Sequence, residues 1–188
     1  TCINSYLTGD ELAYIVNNSE SKVLITSKSK IDVVAEALTS CPNIQMVLVT
    51  DAGDVQLPEA MVDFSTAVNG CSTAPLAAET LRTSMRYSSG TPGQPKGIIR
   101  PLPQQPPSEP LPICQFLGAL WGYREDMIYL SPAPLYHSAP QAAVSLTLRI
   151  GGTVVIMERF DPLEYLHLIE RYQVSHSQLV PTMFSRML

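Results

Sequence analysis

The chain has 188 residues, of which 45% are hydrophobic and 15% are charged. This size and balance allow one substantial core and exclude a disordered or fibrous protein. The formal net charge of -5 and the scattered Lys and Arg residues argue against a nucleic-acid partner. The most apolar segment, residues 113–123, is about half the roughly 20 residues that a bilayer span requires. We therefore expect no transmembrane segment.

The cysteines lie far apart and form no Cys-x-x-Cys pair, so the sequence predicts neither a zinc site nor a disulfide framework. We expect reduced, mostly buried thiols in a cytoplasmic protein. No signal peptide is visible, and attachment to a membrane surface stays open. The chain begins at Thr1 without an initiator methionine, which indicates a fragment or a processed chain.

The first part of the chain alternates short apolar runs with helical patterns. Thr8-Gly-Asp-Glu11 has the form of a capping box and predicts a helix at residues 9–17. Strands follow at residues 22–26 and 46–50, and a helix is predicted between them at residues 30–39. This order predicts a parallel, right-handed βαβ unit. Pro58 indicates the start of a further helix, at residues 58–68.

Residues 101–112 contain six prolines and can form neither a helix nor a central strand. They are a linker or, alternatively, a recognition segment for an aromatic groove. Further helices are predicted at residues 113–122, 138–150, 162–172 and 181–188, and strands at 127–131, 153–157 and 175–180. In the third of these helices, Leu163, Leu166, Ile169 and Glu170 set the helical pitch. We expect one folding unit of class α/β, with parallel-sheet layers flanked by helices.

The run Tyr87-Ser-Ser-Gly-Thr-Pro-Gly-Gln-Pro-Lys-Gly-Ile98 has the composition of a phosphate-binding loop. Glycines let backbone N–H groups converge on an anion, hydroxyls add donors, and the lysine adds a mobile charge. An ordinary surface turn is the alternative. A Walker-type loop is excluded, because Lys96 stands between Pro95 and Gly97. The candidate phosphate-binding residues are Ser88, Ser89, Gly90, Thr91, Gly93, Lys96 and Gly97.

A second candidate group, Tyr136-His137, follows a predicted strand. Parallel sheets place ligand-binding groups at the carboxyl ends of their strands. A histidine in this position is alternatively a structural residue. His167 is predicted to be a surface helix residue, and His176 a strand residue.

The loop resembles the phosphate-binding signature of the adenylate-forming (AMP-binding) superfamily, Tyr/Phe-Thr-Ser-Gly-Thr-Thr-Gly-x-Pro-Lys-Gly-Val. Pro92 stands where the family has Thr, which removes a hydroxyl and an N–H donor. Pro134-Leu-Tyr-His137 resembles the family's second signature, Pro-Leu-Phe/Tyr-His. Residues 157–162, 169–172 and 174–184 look like bacterial fatty acyl-CoA synthetases. Nearly the whole chain aligns with the middle of that family's large N-terminal domain.

The resemblance implies a partial N-terminal AMP-binding domain over residues 1–188. The first βα units of this domain would span residues 1–100 and end in the phosphate loop. The Pro-rich connection would span residues 101–112, and a second set of βα units would span residues 113–188. The implied enzyme is a fatty-acid–CoA ligase that uses ATP, magnesium and coenzyme A. Lys96 and His137 would be catalytic, Tyr136 with His137 would bind the acid, and Thr91 is the candidate magnesium ligand.

The family's later motifs, among them Tyr-Gly-x-Thr-Glu, do not occur before Leu188. We therefore expect this chain alone to be inactive. Two alternatives stay open. The first is a non-catalytic, truncated module that binds an acyl chain or a partner protein. The second is an acyl-AMP ligase that loads a carrier protein.

Overall fold

The computed structural model describes residues 1–88 and 94–188. The chain forms two compact units, Thr1–Gln104 and Gln105–Leu188. Each unit contains one three-stranded parallel sheet with its own apolar clusters. Parallel strands flanked by helices confirm the predicted α/β class. The parallel strands divide between two separate sheets, and folding of the chain as one unit stays a prediction.

The described part of the first unit contains three α-helices, a short 3-10 helix at Lys28–Lys30, a parallel sheet and a hairpin. Its elements are α1 (Gly9–Asn18), β1 (Val23–Ser27), α2 (Ile31–Leu38), β2 (Met46–Thr50), β3 (Met61–Asp63), α3 (Phe64–Asn69), β4 (Arg86–Ser88) and β5 (Lys96–Ile98). Strands β1, β2 and β3 pair in parallel in that order. Strands β4 and β5 pair in an antiparallel hairpin.

Helix α1 begins as the sequence predicts. The Thr8 side chain accepts a hydrogen bond from Glu11 N, and the Glu11 carboxylate accepts one from Thr8 N at 2.9 Å. The central strand β2 buries three successive residues, Val47, Leu48 and Val49. Its Val47 and Val49 belong to the same apolar cluster as Leu12 of α1.

The helix predicted at residues 58–68 is wrong in its first half. Met61, which is 5% exposed, begins strand β3 and pairs with Val47 of β2. Helix α3 starts only after Asp63, whose carboxylate accepts a 2.7 Å hydrogen bond from Thr66 N. This bond lowers the pKa of the Asp63 carboxyl. Pairing with a neighbouring strand thus overrides the local preference that Pro58 indicates.

The second unit alternates helices and strands throughout. Its elements are α4 (Pro112–Trp121), β6 (Ile128–Ser131), α5 (Ser138–Arg149), β7 (Thr153–Ile156), α6 (Pro162–Tyr172), β8 (His176–Ser177) and α7 (Pro181–Met187). The strand order is β7-β6-β8, and both pairings are parallel. On β6, Tyr129 packs with Ala143 of α5, whereas Leu130 packs with Tyr165 of α6. Successive residues therefore serve opposite faces of the sheet.

One prediction for the second unit needs correction. The strand expected at residues 175–180 shrinks to His176–Ser177, because pairing with β6 involves only these two residues. In α6 the buried residue is Tyr165, while Leu163 and Leu166 are 63% and 50% exposed. Packing against Leu130 turns the Tyr165 side inward. The exposed leucines therefore do not define the core-facing side.

The expectation of mostly buried cysteines is also wrong. None of the four cysteines forms a disulfide; only Cys41 is buried, whereas Cys2 and Cys71 are exposed. Burial raises the pKa of the Cys41 thiol. Among the described residues, no helix is long and apolar enough to cross a bilayer.

Candidate functional site

The predicted phosphate loop connects the two strands of the β4–β5 hairpin. Strand β4 ends at Ser88, strand β5 begins at Lys96, and these two residues are paired in the antiparallel register. Directly opposed residues have Cβ atoms about 4.5–5.5 Å apart. The structure therefore brings the Ser88 hydroxyl and the Lys96 side chain to the same end of the hairpin.

Within residues 1–88 and 94–188, Lys96 is exposed and its ammonium has no ion-pair partner. An exposed, unpaired ammonium is available to an anion. The remaining loop residues, Ser89, Gly90, Thr91, Pro92 and Gly93, lie outside the described residues.

Tyr87 anchors the strand that leads into the loop. Its hydroxyl donates to Asn18 Oδ1 at 2.7 Å. Burial raises the pKa of Tyr87, and the neighbouring Tyr14 acts in the same direction. The hydroxyl therefore stays protonated and keeps its hydrogen bond at neutral pH.

Gly97 lies within β5, opposite Tyr87. A Cβ at this position would collide with the terminal methyl of Met85 and lie 3.2 Å from Cζ of Tyr87. Close packing is therefore a reason for glycine here that sequence reasoning missed. Only the contacts across the hairpin reveal it.

The second predicted group lies in the second unit, between β6 and α5. His137 is the N-cap residue of α5, but its side chain makes no capping hydrogen bond. The rings of Tyr136 and His137 lie 4.4 Å apart between centroids. His137 is exposed and Tyr136 is half-buried. The pair therefore presents a ring nitrogen beside a helix N-terminus, whose partial positive charge favours a carboxylate.

Ser131, at the carboxyl end of β6, was not singled out from the sequence. Its side chain is fully buried, and its Oγ has no hydrogen-bond partner among the described residues. Leaving such a hydroxyl unpaired costs about 1–3 kcal/mol. A serine that ends the apolar run Ile128-Tyr-Leu-Ser131 was the available signal.

The other two histidines have the structural positions that the sequence predicts. His167 is exposed on α6. His176 lies in β8, with Nδ1 2.8 Å from Ser175 Oγ and Nε2 3.1 Å from the Trp121 carbonyl oxygen. Its ring also meets the ring of Tyr123 edge-on at 5.2 Å.

The predicted site residues thus form two groups, one in each unit. Ser88, Lys96 and Gly97 share the hairpin of the first unit, while Tyr136 and His137 share one turn of the second. Among the described residues, no three or more His, Cys, Asp or Glu side chains are grouped so that they could hold a metal ion.

Known proteins resemble the chain over nearly its whole length. A 4-hydroxybenzoate–CoA/benzoate–CoA ligase of Rhodopseudomonas palustris is 28% identical over 99% of this chain and 34% of its own. A medium/long-chain-fatty-acid–CoA ligase of Mycobacterium tuberculosis, FadD8, is 26% identical over 94% of this chain and 31% of its own. The chain thus spans about a third of the length of these curated relatives.

Solved structures share the fold. An anthranilate CoA ligase, AuaEII, in complex with anthranoyl-AMP superposes with a TM-score of 0.78 at 22% identity. The match covers 98% of this chain and 35% of that one. The model of the AMP-binding enzyme family matches residues 1–188. The chain therefore belongs to the AMP-binding enzyme family, whose CoA ligases it resembles in sequence and in fold.

Proposed function

We propose that the protein is an AMP-forming acid–CoA ligase and that its acid is a fatty acid. The observation that carries the proposal is the hairpin register, which places Ser88 opposite Lys96 at the ends of a glycine-rich loop. A carboxylate oxygen of the acid attacks the α-phosphorus of ATP, and pyrophosphate leaves with the electrons of the broken P–O bond. The sulfur of coenzyme A then attacks the acyl carbonyl, AMP leaves, and the thiol proton is released.

The hairpin acts on the pyrophosphate side of the first step. Negative charge builds on the leaving pyrophosphate, and a preorganised ammonium stabilises that charge most in the transition state. Lys96 supplies the ammonium and Ser88 supplies a hydroxyl beside it. Ser89 and Thr91 add further hydroxyl donors, while Gly90, Gly93 and Gly97 allow the backbone to approach the phosphates.

Magnesium and coenzyme A complete the set of groups that the proposal requires. Bound magnesium would neutralise part of the triphosphate charge and is commonly held by the phosphates with one or two carboxylates. The described residues offer no cluster of metal-ligating side chains, and the candidate ligand Thr91 lies outside them.

Tyr136 and His137 hold the carboxyl end of the acid. The exposed imidazole stands at the start of α5, where the helix dipole favours a negative group. The half-buried ring of Tyr136 limits where the imidazole can move. A carboxylate held at this point is oriented for attack instead of diffusing freely.

The choice of a fatty acid is supported by segments of the second unit that resemble fatty acyl-CoA synthetases. It is also supported by the fatty-acid ligase among the relatives. The competing class is an aromatic acid, because the benzoate ligase is similar over almost the same length. We expect ATP–pyrophosphate exchange by the full-length protein to be faster with medium- and long-chain fatty acids than with benzoate or 4-coumarate.

The acceptor needs a separate measurement on the same protein. Thioester formation with coenzyme A supports the ligase, whereas transfer only to a carrier protein supports the acyl-AMP ligase. Faster exchange with aromatic acids would show that the substrate is an aromatic acid and not a fatty acid. If no acid supports exchange, the result would favour the alternative that the protein is a non-catalytic module.

Replacing His137 with alanine should raise KM for the acid by about 10- to 100-fold, which is the usual effect of losing a hydrogen bond to a charged group. KM for ATP should change much less, since His137 acts on the acid. Steady-state exchange kinetics measure both constants. His167→Ala is the control, because that histidine is exposed on α6 and has no proposed role. An unchanged KM for the acid in His137→Ala would remove His137 from the site.

A further inference from the structure

Helix α1 is hydrogen-bonded to β4 of the phosphate-loop hairpin and to Pro95, the residue that precedes β5. The Tyr14 hydroxyl donates to the Pro95 carbonyl oxygen at 2.9 Å. One turn further along the same helix face, Asn18 Oδ1 accepts from the Tyr87 hydroxyl at 2.7 Å. Tyr87 precedes Ser88, and Pro95 precedes Lys96. The two bonds therefore hold the backbone beside each of the two described phosphate-binding side chains.

Gly97 lies against the hydrogen bond between Asn18 and Tyr87. A Cβ on Gly97 would lie 3.1 Å from Asn18 Oδ1 and 3.2 Å from Cζ of Tyr87. Pro95 has no N–H group, so its carbonyl is the only backbone group that it can use in a hydrogen bond. A shift of the hairpin along α1 would therefore break at least one of the two hydrogen bonds.

The helix itself is a fixed base for these contacts. Its N-terminus is closed by the capping box of Thr8 and Glu11. Its opposite side is buried in the first unit through Leu12, Ala13, Ile15 and Val16. Because α1 cannot move without disrupting this core, its hydrogen bonds fix the hairpin with respect to the sheet.

We propose that Tyr14 and Asn18 are positioning residues for nucleotide phosphate binding, which they set by holding the two ends of the loop at a fixed separation. This inference rests on the proposed function, in which Ser88 and Lys96 bind the phosphates of ATP. An ammonium and a hydroxyl bind one anion best if the strand ends that carry them, at Lys96 and Ser88, are held together before binding, since ordering them on binding would reduce the affinity. The sequence separation of 81 residues between Tyr14 and Pro95 hides this link from any local pattern.

The test compares Tyr14→Phe and Asn18→Ala with a matched control, Asn17→Ala, in the full-length protein. Asn17 is the neighbouring residue on α1, and its Nδ2 donates to the Ser40 carbonyl oxygen at 2.7 Å, away from the hairpin. Calorimetry with magnesium-ATP gives the dissociation constant. Exchange kinetics give KM for ATP and for the acid separately.

We expect Tyr14→Phe and Asn18→Ala each to raise the dissociation constant and KM for ATP by about 3- to 10-fold, as expected for one lost hydrogen bond. KM for the acid should stay within about twofold of wild type, because the acid is assigned to other residues. Asn17→Ala should leave ATP binding unchanged. In a Lys96→Ala background, Tyr14→Phe should add less than about twofold, since both residues act through the same contact.

A purely structural role predicts something different. Tyr14→Phe and Asn18→Ala would then lower the melting temperature and the active fraction while leaving ATP affinity unchanged, and that result would overturn the inference alone. A wild-type protein that neither binds ATP nor catalyses exchange would instead contradict the proposed function, and the inference with it. Equal loss of ATP affinity in Asn17→Ala would also overturn the inference, because it would show a general effect of α1.

Discussion

Replacing Lys96 with alanine in the full-length protein should lower acid-dependent ATP–pyrophosphate exchange by about 10- to 1,000-fold, the usual effect of losing one preorganised electrostatic contact. The lysine opens β5 opposite Ser88, and its ammonium has no ion-pair partner among the described residues. Its charge is therefore available to the leaving pyrophosphate. Initial exchange rates at saturating acid and ATP measure the effect.

Two further variants separate charge from folding. Lys28→Ala removes an exposed lysine of the same unit that has no proposed role, and it should leave the rate unchanged. Lys96→Arg keeps the charge but changes the shape of the donor, so it should retain more activity than Lys96→Ala. A Lys96→Ala protein that exchanges at the wild-type rate would contradict the role given to the hairpin.

Leu130→Ala should be the most destabilising of the proposed variants, lowering the free energy of unfolding by about 2–5 kcal/mol. Leu130 is fully buried in β6, the central strand of the second sheet, and packs with Met157 and Tyr165. Truncation removes apolar contacts and leaves a cavity between the sheet and α6. Urea denaturation followed by circular dichroism measures the change.

The matched control for that variant is Leu163→Ala. Leu163 lies on α6 in the same unit but is 63% exposed. Its truncation should change the free energy of unfolding by less than about 0.5 kcal/mol. If Leu163→Ala were as destabilising as Leu130→Ala, the Tyr165 side of α6 would not be its buried side.

Local patterns predicted the elements well because their causes are local. The capping box at Thr8 and the Asp161-Pro162 start of α6 depend on hydrogen bonds between residues three apart, and both form as expected. The apolar run of β2 is long enough to identify a buried strand, and its observed bounds equal the predicted ones. The α/β class follows from this alternation of elements.

The sequence-based predictions fail where contacts between residues far apart in the sequence determine the structure. Residues 61–63 form a strand only because β2 offers a free edge to pair with, which a proline-based helix start cannot reveal. Helix α6 carries apolar residues on two sides, and its own sequence does not say which side meets Leu130. The division into two units likewise depends on which strands pair.

The same distinction holds for the candidate site. Ser88 and Lys96 were identified from a motif, and their pairing in the hairpin agrees with a shared role. Tyr14 and Asn18 belong to no motif, and their contacts with the hairpin bridge about 70 to 80 residues of sequence. Such contacts are visible only once the chain is folded.

The most direct measurement is the identity of the nucleotide products. The full-length protein is incubated with ATP, magnesium, coenzyme A and the acid that gives the fastest exchange, and the products are separated by chromatography. The proposal predicts AMP, pyrophosphate and the acyl-CoA thioester in equal amounts, none of them formed without the acid. Formation of ADP and phosphate, or consumption of ATP that does not depend on the acid, would contradict it.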